Sequence, residues 1–579
     1  MECIGVLVND NYEDSYNYEK SLSEEIKKSK GIYYTPKFIV DYILNKTLKN
    51  HDILSNPCPK ILDISCGCGN FLLEAYDILY EMFEYYKHEL KIENIHKHII
   101  ENCIYGVDID KNAVDILNNS LRNKDIDSKI LKSNIYCFDS LNKNNLGQDV
   151  INLFWENKFD YIIGNPPYIG HKSLGKEYKN FLLKEYSEVY RDKSDIYYCF
   201  YKRVIDLLSE DGIVSIITPR YFLESISGKH LRNYILNNSY INEIIDFNGS
   251  NIFKNISIAS CIITLSKKCI TSNIDIHKLK NSKLKLNYLD SLEYYLNDDN
   301  FYNIKIKQSD LNEDWIISNK ENLDIYNKLE SYGQYRLKDI CISFQGIITG
   351  CDKAFIIDKR DTDENIEEKK LLKNWVKNKH IKKYKLDENK KLLIYSNDIV
   401  DEEEYPKSIN YISNYKEKLL NRRECRKNIR KWYELQWGRQ KELFERKKIM
   451  YPYKAKENRF AIDYKNSFCS ADVYSFYIKE EYENEFSYEY IVGLLNSSIY
   501  DTYFKTFAKK MTSDLYDYYP NKVMEIKIFK DRNYNKIENL AKDIITLIND
   551  DYDNEILIIE KQKQLDEIIN KSIELFSLI

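Results

Sequence analysis

Asn165-Pro166-Pro167-Tyr168 places one amide, two consecutive prolines and one phenol directly after the apolar run 159–164. Two prolines cannot continue a central strand. Asn165 is therefore left at a strand's carboxyl end on a stiff backbone, where open α/β sheets bind their ligands. The asparagine oxygen and the Pro166 carbonyl can accept both hydrogens of a flat amino group, and Tyr168 can stack on the ring that carries the amine. This chemistry suits methylation of an exocyclic amine on a planar substrate. The same tetrapeptide would also serve as a proline-terminated strand with a surface asparagine.

A second constellation runs Leu62-Asp63-Ile64-Ser65-Cys66-Gly67-Cys68-Gly69-Asn70-Phe71, between a strand at 60–64 and an amphipathic helix at 70–86. Its glycines let the backbone approach a ligand closely. Leu72 stands where the dinucleotide fingerprint has its third glycine, which weakens NAD or FAD and leaves a nucleoside cofactor without a pyrophosphate, or simply a tight βα connection. Asp108 ends a strand at 103–108 and can accept both hydroxyl hydrogens of a ribose. It lies 39 residues past Gly69 (108 − 69), and Asp110 competes for the same role. Asp139, in Cys137-Phe138-Asp139, is expected to end a third strand and to accept from an adenine amino group, or else to be a solvated loop residue. Thr35-Pro36 precedes a helix, with Thr35 expected as its N-cap and Pro36 in its first turn.

The elements that must hold these groups alternate from 31 to 267. Helices at 111–122 and 196–208 and strands at 158–164, 212–218, 241–247 and 257–265 predict a mostly parallel sheet with helices on both faces. The polar stretch 267–308 reads as irregular or peripheral, and beyond it charged helical segments mix with short strands at 342–344 and 353–357. Two apolar stripes close the chain: Ile537, Leu540, Ile544, Ile545 and Ile548, then Leu565, Ile568, Ile569 and Ile573. They predict a helical hairpin packed on the body, with a dimerising coil as the alternative. The expected divisions are an arm at 1–30 with a charged helical segment, a catalytic domain at 31–300 and a further domain at 301–579.

Composition narrows the classes. The 579 residues suffice for two or three domains with sizeable cores. The net charge of −5 argues against a uniformly basic nucleic-acid coat, so any such surface is local. The 13 cysteines form no CxxC pair, which supports neither a zinc site nor a disulfide framework and suggests a reducing cytoplasm. No run approaches the ~18 apolar residues of a membrane-spanning helix. Residues 411–460 hold sixteen Lys/Arg against six Asp/Glu, an excess of ten (16 − 6). Arg422, Arg423, Arg426, Lys427, Arg430 and Arg439 interleave there with Trp432, Tyr433 and Trp437. They are candidates for neutralising DNA phosphates, or for a solvated helix face.

Taken in order, Tyr34-Thr35-Pro36, Asp63 to Phe71, Asp108, Asp139 and Asn165 to Tyr168 resemble the gamma-class DNA adenine-N6 methyltransferases of restriction–modification systems. Residues 344–356, Lys431-Trp432-Tyr433 and Leu494-Leu495-Asn496-Ser497 resemble parts of that family's target-recognition region. The resemblance implies an α/β fold: a Rossmann-like seven-stranded S-adenosylmethionine-dependent domain followed by a mixed α+β DNA target-recognition domain. It implies that Tyr33, Tyr34, Thr35 and Pro36, with Asp63, Ser65, Gly67, Gly69, Asn70 and Phe71, hold the methionine end of S-adenosylmethionine beside Asn165. Asp108 would hold the ribose and Asp139 the adenine, with Ile109 and Ser140 also among the cofactor-binding residues. Phe253 stands where the family has an aromatic that sandwiches the target base against Tyr168, although it would equally serve as a core residue. Ile64-Ser65 replaces the family's usual Pro-Ala, which leaves the glycines in place.

The expected partner is double-stranded DNA, bound by a monomer in the cytoplasm, without metal or membrane. About 30 residues precede the first motif, too few for a nuclease fold, so methylation without cleavage is expected. RNA bases and protein glutamine present similar planar amino groups and remain alternative substrates. A non-catalytic specificity protein would show damage at Asn165 or the glycine turn, and neither is damaged.

Overall fold

The computed structural model describes residues 18, 21–23, 35–125, 132–144, 146–191, 194–253, 258–281, 284, 291–297, 299–311, 314–361, 366–512, 514–550 and 554–576. The chain divides into two compact units, Met1–Asn319 and Lys320–Ile579. The expected arm at 1–30 lies almost entirely outside the described residues.

The first unit is built on a nine-stranded sheet. Its strands are β1 (Ile61–Asp63), β2 (Ile104–Asp108), β3 (Ile135–Cys137), β4 (Phe159–Gly164), β5 (Leu208–Pro219), β6 (Tyr240–Asn251), β7 (Ala259–Ser266), β8 (Ile274–Leu279) and β9 (Phe301–Ile306). They lie in the order β3-β2-β1-β4-β5-β7-β6-β8-β9. The first five are mutually parallel and follow the 3-2-1-4-5 order of doubly wound sheets. Helices α1 (Lys37–Thr47), α2 (Asn70–Tyr85) and α3 (Lys111–Asn123) bury their apolar stripes in one core. Helices α4 (Lys176–Glu185), α5 (Tyr197–Leu207) and α6 (Lys229–Asn238) bury theirs in another.

Two expectations are corrected here. The sheet is mixed rather than mostly parallel, because β7 runs antiparallel to both β5 and β6, and β9 antiparallel to β8. The link from Asn251 to Ala259 is shorter than the dozen or more residues that a parallel crossover needs. The stretch 267–308 is not irregular, since it supplies β8, the helix Leu292–Asn297 and β9. It reads as polar because β9 is an edge strand that buries Phe301 while exposing Tyr302 and Asn303. The first unit accordingly runs to Asn319 rather than to 300.

The second unit contains two four-stranded sheets. One is antiparallel, in the order Cys341–Gln345, Val473–Ile478, Lys448–Pro452 and Ala461–Asp463. The other orders Ile356–Asp358, Lys391–Ile394, Leu372–Val376 and Phe468–Cys469. The strand expected at 353–357 starts only at Ile356, because the helical turn Asp352–Phe355 occupies the preceding residues. That turn is held by Thr349 Oγ1, which donates to Asp352 Oδ1 at 2.6 Å. Helices Tyr534–Asn549 and Glu555–Phe576 pack on each other, and the first packs on helix Tyr488–Asn496. Their stripes are buried at Ile537, Ile544, Leu565, Ile569 and Ile573. Among the described residues every cysteine is a free thiol, and no helix is long and apolar enough to cross a membrane.

Candidate active site

β1 and β4 are neighbours, and the strand order reverses between them. Ligands of open α/β sheets sit at this switch point, outside the carboxyl ends of the strands. Asp63 ends β1 and Asn165 follows β4. Gly164 has φ +145°, and a Cβ there would lie 2.6 Å from Asp63 Oδ1. Glycine is thus required for the two strand ends to approach. Asp63 is 1% exposed and accepts from Ser65 N at 2.9 Å. Burial pushes its carboxyl up to about 7; the Ser65 N–H opposes this and the Asp108 charge adds to it.

The glycine turn bends through Gly67 (φ +51°) and Gly69 (φ +95°), the residue that caps α2. A Cβ at Gly69 would lie 2.2 Å from Leu117 Cδ1, whereas one at Gly67 would meet nothing within 4 Å. The open side of the turn is therefore at Gly67, whose N–H donates to Asp108 Oδ2 at 2.8 Å. Asp108 Oδ1 accepts from Asp110 N at 2.8 Å. Burial raises the Asp108 carboxyl, and these N–H groups pull it back. Asp110 caps α3 by accepting from Asn112 N at 3.1 Å. Of the two competing aspartates, Asp108 is thus the one bound to the glycine turn. Ile109 is 68% exposed just beyond it, Asn70 opens α2, and Phe71 is packed in the core.

Asp139 does not end β3, which stops at Cys137. Its Oδ1 closes a turn by accepting from Leu141 N at 3.0 Å, and its Oδ2 accepts from Tyr178 OH of α4 at 2.8 Å. Ser140 Oγ donates to the Ile64 carbonyl, tying this turn to the β1 loop.

Asn165 is gripped from several sides. Its Nδ2 donates to Thr35 Oγ1 at 3.1 Å, and its carbonyl accepts from Ser65 Oγ at 3.4 Å. Thr35 is therefore not the expected helix cap: Pro36 occupies that position without a side-chain cap bond, and the Thr35 hydroxyl accepts from the asparagine instead. Tyr33 and Tyr34 lie outside the described residues. The Tyr168 hydroxyl donates to Asn165 Oδ1 and reaches the Ile217 carbonyl at 3.3 Å. Phe253 does meet Tyr168, with ring centroids 6.3 Å apart at 72°. The edge-to-face contact leaves no slot for a third ring, so a base could stack only after the rings turn.

Residues that the sequence reading passed over hold this loop. Arg220 follows β5 and forks onto Asp246, Nε to Oδ1 at 2.6 Å and NH2 to Oδ2 at 2.8 Å. Its NH1 donates to Glu224 Oε2 at 3.0 Å. Arg220 and Asp246 are each 1% exposed. Asp246 Oδ1 also accepts from Asn248 N at 2.8 Å, fixing the entry to the Asn248-Gly249 turn (φ +52° and +89°) that leads to Phe253. A usable signal was present, since Arg220 and Asp246 are charges placed at the ends of otherwise apolar runs.

In the second unit, Arg423, Arg426 and Lys427 are exposed, and Arg430 lies 3.9 Å from Glu434. Arg439 is exposed with φ +61°, its NH2 donating to Gln345 Oε1 at 2.9 Å. Trp437 is 40% exposed, whereas Tyr433 is buried. Arg422 departs from its expected role. Its guanidinium donates to the carbonyls of Leu419, Thr349, Trp432 and Glu434 at 2.8–3.2 Å, which makes it an internal strut of the basic segment.

Comparison with known proteins bears on the family and the fold. The Eco57I restriction-modification methylase family matches residues 102–253, and the TaqI-like C-terminal specificity domain matches 373–528. The type II restriction enzyme and methyltransferase RM.Eco57I of Escherichia coli is 27% identical over 379 residues, covering 56% of this chain and 36% of that protein. The chain thus spans about a third of that relative. The type II methyltransferase M.BstVI of Geobacillus stearothermophilus is 26% identical over 86% of this chain and 90% of its own length. M.HincII of Haemophilus influenzae, also a type II methyltransferase, is 30% identical over 59% of this chain and 68% of its own length. The type IIL restriction-modification enzyme MmeI, solved in complex with DNA, shares the fold with a TM-score of 0.68 at 15% identity, covering 96% of this chain and 78% of that one.

Proposed function

The chain belongs to the type II methyltransferases of restriction–modification systems, and from that premise we propose that it methylates the N6 amine of an adenine extruded from duplex DNA, using S-adenosylmethionine. The observation that carries the reading is Asn165 at the switch point, with its amide oriented by Thr35 and its oxygen accepting from Tyr168, whose ring meets Phe253. The cofactor residues fit. The unobstructed face at Gly67, the Asp108 carboxylate behind it and the buried Asp63 offer close backbone approach and acceptors for hydroxyl and amino groups. S-adenosylmethionine supplies an electrophilic methyl group when bound.

The chain's own task is to make an aromatic amine nucleophilic. Acceptance of its two N–H groups by Asn165 Oδ1 and the Pro166 carbonyl localises the lone pair as the amine pyramidalises, which stabilises charge as it develops. A base inside a duplex is out of reach and must be extruded at a cost of a few kcal/mol. Stacking on Tyr168 and Phe253 offsets part of that cost. Labelled S-adenosylmethionine offered in parallel to duplex DNA, RNA and protein tests the reading. Label in duplex DNA supports it, and label only in RNA or protein overturns it.

Asp63 gives the cofactor site a pH dependence. Its carboxyl sits near 7 in the folded protein, so it contributes stability that is complete at acid pH and lost as pH rises through about 7. A cationic cofactor favours the ionised form. S-adenosylmethionine affinity is therefore expected to rise by up to about tenfold per pH unit below 7 and to level off above it. Calorimetric titration across that range checks this, and Asp63→Asn is expected to flatten the profile.

The exposed cations Arg423, Arg426 and Lys427 are the proposed phosphate contacts. Duplex affinity is expected to fall steeply with salt, and replacing all three by alanine to reduce the log–log slope by about 0.9 per lost phosphate contact. Fluorescence anisotropy at several salt concentrations measures this. An unchanged slope would move the DNA surface elsewhere.

A further inference from the structure

We propose that Asp195 is a positioning residue for Tyr168: its carboxylate ties the backbone just past the tyrosine to the start of the helix on which the tyrosine ring rests. Pro166 and Pro167 stiffen the chain ahead of Tyr168, but the chain behind it continues as Ile169-Gly170-His171 with no such restraint in its sequence. Asp195 supplies the restraint. Its Oδ1 accepts from Ile169 N at 3.2 Å and from Tyr197 N at 3.4 Å. Gly170 and Asp195 form an isolated antiparallel bridge, and Ile196 N donates to the Ile169 carbonyl at 3.2 Å. Tyr197, the first residue of α5, sets its ring edge-on to Tyr168 at 6.4 Å. The latch thus fixes Tyr168 from its carboxyl side while Ile217 and Asn165 receive its hydroxyl. Asp195 acts through Ile169 and Tyr197, and in these contacts it does not meet Asn165 or Tyr168 itself.

The latch is also sensitive to protons. Burial pushes the Asp195 carboxyl up to about 6, against the N–H groups of Tyr197, Ile169 and Ile196. The titratable groups that feel its charge include Tyr190 ahead of it and Tyr197, Tyr198 and Cys199 in α5. Burial raises all four above their ordinary values, so none of them ionises near pH 6. A hydrogen bond to a charged acceptor is roughly twice as strong as one to a neutral acceptor, so protonation loosens the latch without dismantling it.

The inference rests on the proposed amine methylation and is tested on the full chain with duplex DNA. Asp195→Ala is expected to lower kcat by about 10- to 100-fold through misplacement of the ring, with the KM for S-adenosylmethionine within about twofold. Asp195→Asn keeps the shape and one acceptor oxygen. It is expected to hold kcat near the wild-type level below pH 6 and to remove the rise that the wild type shows through that pH. Full kcat in Asp195→Ala, or an unaltered acid limb in Asp195→Asn, overturns the role of Asp195. Absence of methyl transfer by the wild type on any amine would instead overturn the reaction on which it rests.

Discussion

Asn165→Ala is expected to lower kcat for methyl transfer by about 10²–10³-fold or more, the loss typical of removing one preorganised polar group from a transition state. S-adenosylmethionine affinity should stay within about twofold, because Gly67, Asp63 and Asp108 remain. The asparagine is preorganised: Thr35 accepts from Nδ2, which fixes the oxygen toward Tyr168. Thr35→Val removes that restraint and should give a smaller loss in the same parameter. Tyr168→Ala should approach the loss at Asn165, since the stacking face disappears. Tyr168→Phe should keep most activity, because the phenol hydroxyl occupies Asn165 Oδ1 here and must leave it before an amine can bind. Single-turnover rates on a defined duplex, alongside calorimetric cofactor binding, separate these effects. Full activity in Asn165→Ala would remove the proposed role of the asparagine.

The second large effect is expected at Arg220. Arg220→Ala leaves Asp246 fully buried and Glu224 largely so, both without their shared cation. Breaking a buried pair in this way costs about 3–5 kcal/mol, visible as a lowered denaturant midpoint. Arg220→Lys retains the charge but not the planar fork, and should recover only part of the loss. The pH response has a definite sign. Burial alone would raise the Asp246 and Glu224 carboxyls, but Arg220, helped by the Lys278 charge, holds both below their ordinary values. They therefore contribute stability that is present above the ordinary carboxylate range and lost as pH falls through their lowered values. In Arg220→Ala only Lys278 is left to oppose burial, so that contribution should shrink. Because Asp246 also anchors Asn248, any Arg220→Ala protein that remains folded should bind target DNA with a weakened base clamp.

Much of the site was legible because its residues are constrained by backbone chemistry. Consecutive prolines end β4 wherever they occur, and glycines at positive φ mark the turn at 67–69 from the sequence alone. Apolar runs buried on both faces announced β1, β2, β4, β5 and β7. What stayed hidden was set by partners distant in the chain. The hydroxyl of Thr35 looked like a cap until Asn165, 130 residues later, was seen to donate to it. β9 looked like loop because an edge strand leaves half its residues in water, and β8 because its buried Ile274, Ile276 and Leu279 alternate with polar Asp275, His277 and Lys278. Arg422 looked like its neighbours Arg423 and Arg426, and only the fold shows its donors turned inward to four carbonyls. The Asp195 latch follows the same rule, because a single aspartate before a helix reads as an ordinary cap until its second bond, to Ile169, is known.

The most direct measurement is the identity of the methylated base. Duplex DNA incubated with the protein and S-adenosylmethionine, digested to nucleosides and resolved by mass spectrometry, should yield N6-methyldeoxyadenosine, and the Asn165→Ala protein should yield it at an initial rate lower by about 10²-fold or more. Methyl groups found on the cytosine amine, or no modified nucleoside from a protein that binds both S-adenosylmethionine and duplex, would contradict the account.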